Sequence, residues 1–213
     1  MEDLFCLWPK PQKGVPVFLE GILAEKFDAK DPMAGGVYEW ARTRGKKYVD
    51  YPEHLWLICK ERLLLFDYYP FDGGFLVSDS FLSIIEKYIL PGTVQYVPLK
   101  VCSAKGKKIT DKEYFYLRFV ERDDLINYEE SEFTVQRSAN NDLVMKAGFG
   151  IEKFEKIVLK NVTNEVFIPL DNTFARYVFC TEQVKAELLN RKMYGFDIIY
   201  YYELPLLYNE RFR

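Results

Sequence analysis

The chain has 213 residues, 49% of them hydrophobic and 29% charged, with a net charge of −3. This is globular composition, which argues against long disorder, and its slight acidity supplies no overall positive field to draw nucleic acid. The opening "MEDLFCLWPKPQKG" places two acids first and breaks at prolines, unlike a signal peptide, and no apolar run approaches a membrane span, so the expected setting is cytoplasmic, with neither nucleic acid nor membrane as partner.

In chain order, the first third reads as strands punctuated by turns. "FCLWP" and "VPVFLEGILAEKF" precede a loop at "DAKDPMAGG", and "YPEHLWLICKERLLLFDYYPFDGG" reads as two short strands around "KER", closed by Gly73 and Gly74. The middle, "GGFLVSDSFLSIIEKYILPGTVQYVPLKV", reads strand, helix, strand. Ser78 or Asp79 caps a helix over about 79–90, Phe81, Ile84, Ile85, Tyr88 and Ile89 form its apolar face, and Pro91 and Gly92 end it.

Strand candidates follow at 113–120, 132–136, 143–147, 154–160 and 165–170, with "SAKGKKITDK" as a polar hairpin tip around Gly106. The C-terminal "ARYVFCTEQVKAELLNRKMYGFDIIYYYELP" then repeats the strand–helix–strand pattern. Thr181 is the cap, Val184, Leu188 and Leu189 the apolar face, and Gly195 the stop of a helix over about 182–193. Ser78 and Thr181, Phe81 and Val184, Ile85 and Leu188, and Gly92 and Gly195 share one offset of 103 residues. Duplication and mere likeness of two helix-containing units both account for it. The expected class is α+β, with a mixed, mainly antiparallel sheet, two similar strand–helix–strand units and few helices. A single domain over 1–213 is expected, strand-rich over 1–72 and holding the two units over 73–205.

Chemical candidates are sparse. Cys6, Cys59, Cys102 and Cys180 are dispersed in apolar runs, where a reduced thiol behaves as a small hydrophobe. With His54 the only histidine, a Cys/His zinc site and a Ser-His-Asp triad are nearly excluded, and no metal or other cofactor is expected. The glycines at 148 and 150 begin neither a Rossmann fingerprint nor a P-loop. The short basic groups Arg42, Arg44, Lys46, Lys47 and Lys105, Lys107, Lys108 read as solvated loops. The densest feature is "ERDDLINYEESEF" (121–133), six carboxylates around one arginine, without the order of a calcium loop. It reads either as a solvated loop or as a surface for a basic partner.

Three segments, in this order, resemble a bacterial immunity-protein family found beside polymorphic and contact-dependent toxins, the immunity protein 11 and immunity protein 43 groups. They are "FLVSDSFLSIIEKY…VQYVPLKV", "YFYLRFVERDDLINYEESEF" and "YVFCTEQVKAELLNRKMYGFDI", together spanning about residues 73–204, while the first 70 residues match only loosely. The resemblance implies a protein that binds and neutralises a cognate toxin effector domain by direct contact, without catalysis. Toxin domains of such systems are often nucleases with basic surfaces. Asp123, Asp124, Glu129 and Glu130 would then present negative charge and Tyr128 an aromatic anchor. Two other readings stay open: a carboxylate-based hydrolytic enzyme, and a structural protein self-associating through "IIYYYELPLLY". A deep polar pocket would favour the enzyme, and a broad exposed groove the binder.

Overall fold

A computed structural model describes residues 3–41, 48–135, 151–171 and 173–211. The elements are β1 (Leu4–Pro9), β2 (Gly21–Ala24), β3 (Leu55–Cys59), β4 (Tyr68–Phe71), β5 (Gly74–Ser78), α1 (Asp79–Ile85), β6 (Val94–Ser103) and β7 (Tyr114–Phe119). After them come β8 (Glu132–Val135), β9 (Ile151–Lys156), β10 (Val166–Phe167), β11 (Phe179–Thr181), α2 (Glu182–Asn190), β12 (Phe196–Tyr200) and α3 (Leu204–Arg211). The fold is α+β. A six-stranded sheet runs β2-β3-β6-β7-β5-β4 and a four-stranded sheet β10-β11-β1-β12, with β8-β9 as a separate pair. Among the described residues only the β3–β6 strand pair is parallel.

The two units share one topology. β5 and β6 both pair antiparallel with β7, so they run parallel with β7 between them. β11 and β12 flank β1 in the same way. α1 packs on the large sheet, α2 on the small one, and the helices meet each other. Phe81, Ile85, Val184 and Leu188 enter one buried cluster with Phe5, Leu7, Phe75, Val77 and Leu117. Strand alternation sends the intervening residues, Leu76, Tyr114 and Tyr116, into a second cluster on the opposite face of the large sheet. A third cluster lies on the far face of the small sheet, where β9 and α3 dock through Phe154, Leu204 and Tyr208. The tyrosine-rich tail thus contributes Leu204 and Tyr208 to a core, leaving Tyr202 and Leu206 exposed.

Several expectations change. Of the strands around "KER", β3 joins β2 and β6, and β4 forms a hairpin with β5 through Asp72 and Gly73. "LLLF" is not a strand. Leu64 and Phe66 are buried, but the backbone amides of Leu64 and Leu65 donate to Ile109 and Gly14, two separate loops. Of "VPVFLEGILAEKF" only Gly21–Ala24 is strand, the fourth late candidate shifts to Ile151–Lys156, and the fifth shrinks to Val166–Phe167. Both helices are shorter than expected, ending at Ile85 and Asn190 before looser turns. Leu189 points outward at 57% exposure, because α2 buries a face only as wide as Val184 and Leu188. Residues 143–147, the glycines at 148 and 150, and Arg42, Arg44, Lys46 and Lys47 lie outside the described residues.

All four cysteines are free and buried. They sit on neighbouring strands in two pairs, yet within each pair the side chains enter clusters on opposite faces of the sheet: Cys6 against Cys180, and Cys59 against Cys102. A disulfide needs both Cβ vectors to point at each other, so this placement forbids one.

Candidate functional site

β2 and β4 end the large sheet on opposite sides, yet both line one groove of about 990 Å³, so the sheet curls until its edges face a common space. Trp8, Phe18, Ile22, Met33, Tyr38 and Phe71 give it an apolar wall. The 17–19 segment is fixed by Tyr69, whose hydroxyl accepts from Leu19 N at 3.0 Å and donates to Val17 O at 3.3 Å. With Leu19 held in the core, Val17 and Phe18 are turned outward, 80% and 76% exposed, and Val37 on the facing loop is 83% exposed. Tyr38 stacks on Trp40 at 5.2 Å, and Trp40 Nε1 donates to Glu25, which anchors that loop. Val17 and Phe18 thus stand in water at the rim of the groove.

The groove carries little chemistry. Its carboxylates are Glu20 and Asp72, and Glu20 is paired with Lys60 at 2.5 Å. Among the described residues no group of three or more His, Cys, Asp or Glu could hold a metal ion, and no helix is long and apolar enough to cross a membrane. His54 is half-buried just before β3 and does not line the groove.

The acidic segment lies elsewhere: none of Asp123, Asp124, Tyr128, Glu129 and Glu130 lines the groove. Asp124, Glu129 and Glu130 are exposed, with Asp124 paired to Lys160 at 2.8 Å. Asp123 is half-buried. Its backbone exchanges hydrogen bonds with Ile168 and Leu170, and its carboxylate accepts from Asn164 Nδ2 at 3.0 Å. Tyr128 is half-buried too. Its ring meets Phe133 edge-on, and its hydroxyl donates to Asp171, a carboxylate only 5% exposed. Burial and that carboxylate together push the Tyr128 hydroxyl pKa up. Tyr128 thus ties its loop to the fold.

The groove residues escaped sequence reading because each apolar side chain there looks like core; only the proline-flanked "VPVF" hinted that an extended segment is displayed. No curated protein matches the chain. The immunity protein 43 model, however, matches residues 8–213, taking in the N-terminal third that the resemblance covered only loosely and deciding between the two groups. Because that match spans nearly the whole chain, the chain belongs to the immunity protein 43 family.

Proposed function

We propose that this immunity protein acts in the cytoplasm, as one domain, by seating a cognate toxin domain in the groove between β2 and β4. The observation that carries this reading is the outward display of Val17 and Phe18 along an apolar cleft. Phe18 would be the anchor, since a few large side chains ringed by contacts that exclude water dominate protein–protein affinity. A hydrolase would instead need two or more closely placed carboxylates facing a substrate; here Glu20 is engaged by Lys60. The exposed acids Asp124, Glu129 and Glu130 form an outlying negative surface, suited to speeding encounter with a basic toxin rather than to holding it.

The test is binding kinetics against the toxin encoded beside it. Phe18→Asp, at a side chain that no fold contact requires, is expected to weaken binding about tenfold or more, chiefly through faster dissociation. Neutralising Asp124, Glu129 and Glu130 together is expected to slow association and flatten its salt dependence. Unchanged kinetics for Phe18→Asp in a folded protein would remove the groove from the interface.

A further inference from the structure

β2 is an edge strand of the large sheet, and its ladder with β3 decides which of its backbone groups are left over. Lys60 N donates to Glu20 O at 2.9 Å, which makes Glu20 and Lys60 a hydrogen-bonded pair. Such pairs alternate in an antiparallel ladder, so the next two are Ile22 with Ile58 and Ala24 with Trp56. Gly21 and Leu23 therefore turn their backbone groups away from β3. The facing strand agrees, since Cys59, opposite Gly21, gives its carbonyl to Ala104 N just past β6. The amide of Gly21 closes back on Leu19 O at 3.1 Å. Gly21 O, Leu23 N and Leu23 O are left without a partner among the described residues. Both residues line the groove: Gly21 is half-buried and has only main chain to show there, and Leu23 sends its side chain into the core.

We infer that the groove is filled by an extended segment of the toxin, which adds a strand to the free edge of β2. The inference rests on the toxin-binding reading above and specifies how that partner is held. An occupant with no backbone groups to offer, such as the face of a helix, would seal three polar groups away from water unpaired, which is costly. A strand supplies two donors and an acceptor in register. The opposite wall is closed to such pairing. Ser78 N donates to Asp67 O, so alternation along β4 turns Tyr68 and Pro70 outward, and a proline has no N–H to give. β2, with the sequence GILA, carries neither the proline nor the charge that ordinarily blunts an edge. Charge defines the segment further. Glu20 and Lys60 neutralise each other. Exposed Arg176, near the Trp8–Tyr177 stack, and exposed Asp72, at the β4–β5 turn, line the groove with no ion pair among the described residues. The segment is thus apolar against Phe18, Ile22 and Phe71, with an Asp or Glu for the planar fork of Arg176 and a basic residue for Asp72.

The full chain is studied in complex with the toxin encoded beside it. In the isotope-labelled complex, a hydrogen-bond scalar coupling is expected between the Leu23 amide nitrogen and a toxin carbonyl carbon. Leucic acid in place of Leu23 deletes that N–H as an ester and keeps the side chain. It is expected to weaken toxin binding about three- to tenfold, with urea denaturation of the free chain reporting any loss of folding. Arg176→Glu is expected to weaken binding roughly tenfold or more, and Asp72→Asn, which tolerates the left-handed backbone there, by less. A formed complex without the coupling, or with full affinity in the ester form, overturns strand addition; the toxin-binding groove still stands if Phe18→Asp weakens that complex. Full affinity of Arg176→Glu overturns the acidic contact. Concentration-dependent pairing of the free chain that the ester abolishes would make a second copy the occupant, again overturning the inference. No toxin binding by the unaltered chain defeats the toxin-binding reading and this inference with it.

Discussion

Gly92 and Gly195, 103 residues apart in the chain, both take left-handed backbones, with φ of +82° and +104°. Each lies between the end of a helix and the strand that returns beside it, where the chain reverses most sharply. Their surroundings differ. A Cβ on Gly195 would fall 2.7 Å from Phe66 Cβ and 3.2 Å from its Cα, whereas one on Gly92 would meet only the Tyr48 hydroxyl at 3.4 Å.

Alanine at the two positions therefore separates backbone strain from close approach. Gly92→Ala is expected to cost about 1–2 kcal/mol, the strain of a left-handed L-residue. Gly195→Ala bears the same strain and also drives a methyl into Phe66 in a packed core, adding about 1–3 kcal/mol. Urea denaturation of both variants measures the difference; equal midpoints would show that Phe66 yields freely.

Leu188 and Leu189 make a second paired comparison. Leu188 is 1% exposed in the central cluster, and Leu189 is 57% exposed. Leu188→Ala is expected to destabilise by about 2–5 kcal/mol, and Leu189→Ala by no more than about 0.5 kcal/mol. Similar losses for both in chemical denaturation would mean that α2 is rotated from the orientation described.

Asp67 joins three parts of the chain. Its carboxylate accepts from Ser78 Oγ and Lys112 Nζ, both at 2.6 Å, and from Tyr194 N at 2.8 Å. Asp67→Ala orphans the buried Ser78 hydroxyl, a partly buried amide and a partly buried ammonium, at an expected cost of about 3–5 kcal/mol. Lys112→Ala is expected to cost clearly less, because Lys112 is 32% exposed and Asp67 keeps its other two donors. Thermal or urea unfolding ranks the pair, and the reverse order would count against this account.

Alkaline pH should expose the buried thiols. Burial pushes the Cys180 pKa from 9.0 up to about 12, and the other three cysteines shift in the same direction for the same cause. A group whose folded pKa is raised favours the folded state fully below its unfolded pKa, and that contribution is lost as pH climbs through the folded value. Stability is thus expected to fall between about pH 9 and 12, with thiol-reagent labelling slow in the folded chain at pH 8 and rapid only after unfolding. Fast labelling of all four thiols at pH 8 in a folded sample would contradict their burial.

Short-range physics was legible in the order of the residues. Two strand–helix–strand units, the apolar positions Phe81, Ile85, Val184 and Leu188, and the two glycines where the chain turns back are set by short-range period and backbone sterics. Tertiary structure alone decided what depends on distant partners. That β1 slots between β11 and β12 could not be read from any window, since strand pairing across more than 170 residues leaves no local mark. The fate of equivalent residues diverged for the same reason. Ser78 caps α1, accepting from Phe81 N, while its own proton is held by Asp67, eleven residues away in sequence. Thr181, at the matching position, caps nothing and faces a cavity. Tyr128, which its neighbours marked as a surface residue, is drawn inward by Asp171. The groove exists only because a six-stranded sheet curls until β2 and β4 line the same space, and that curvature is the summed twist of the strands and the packing of both faces, a property that no single segment carries.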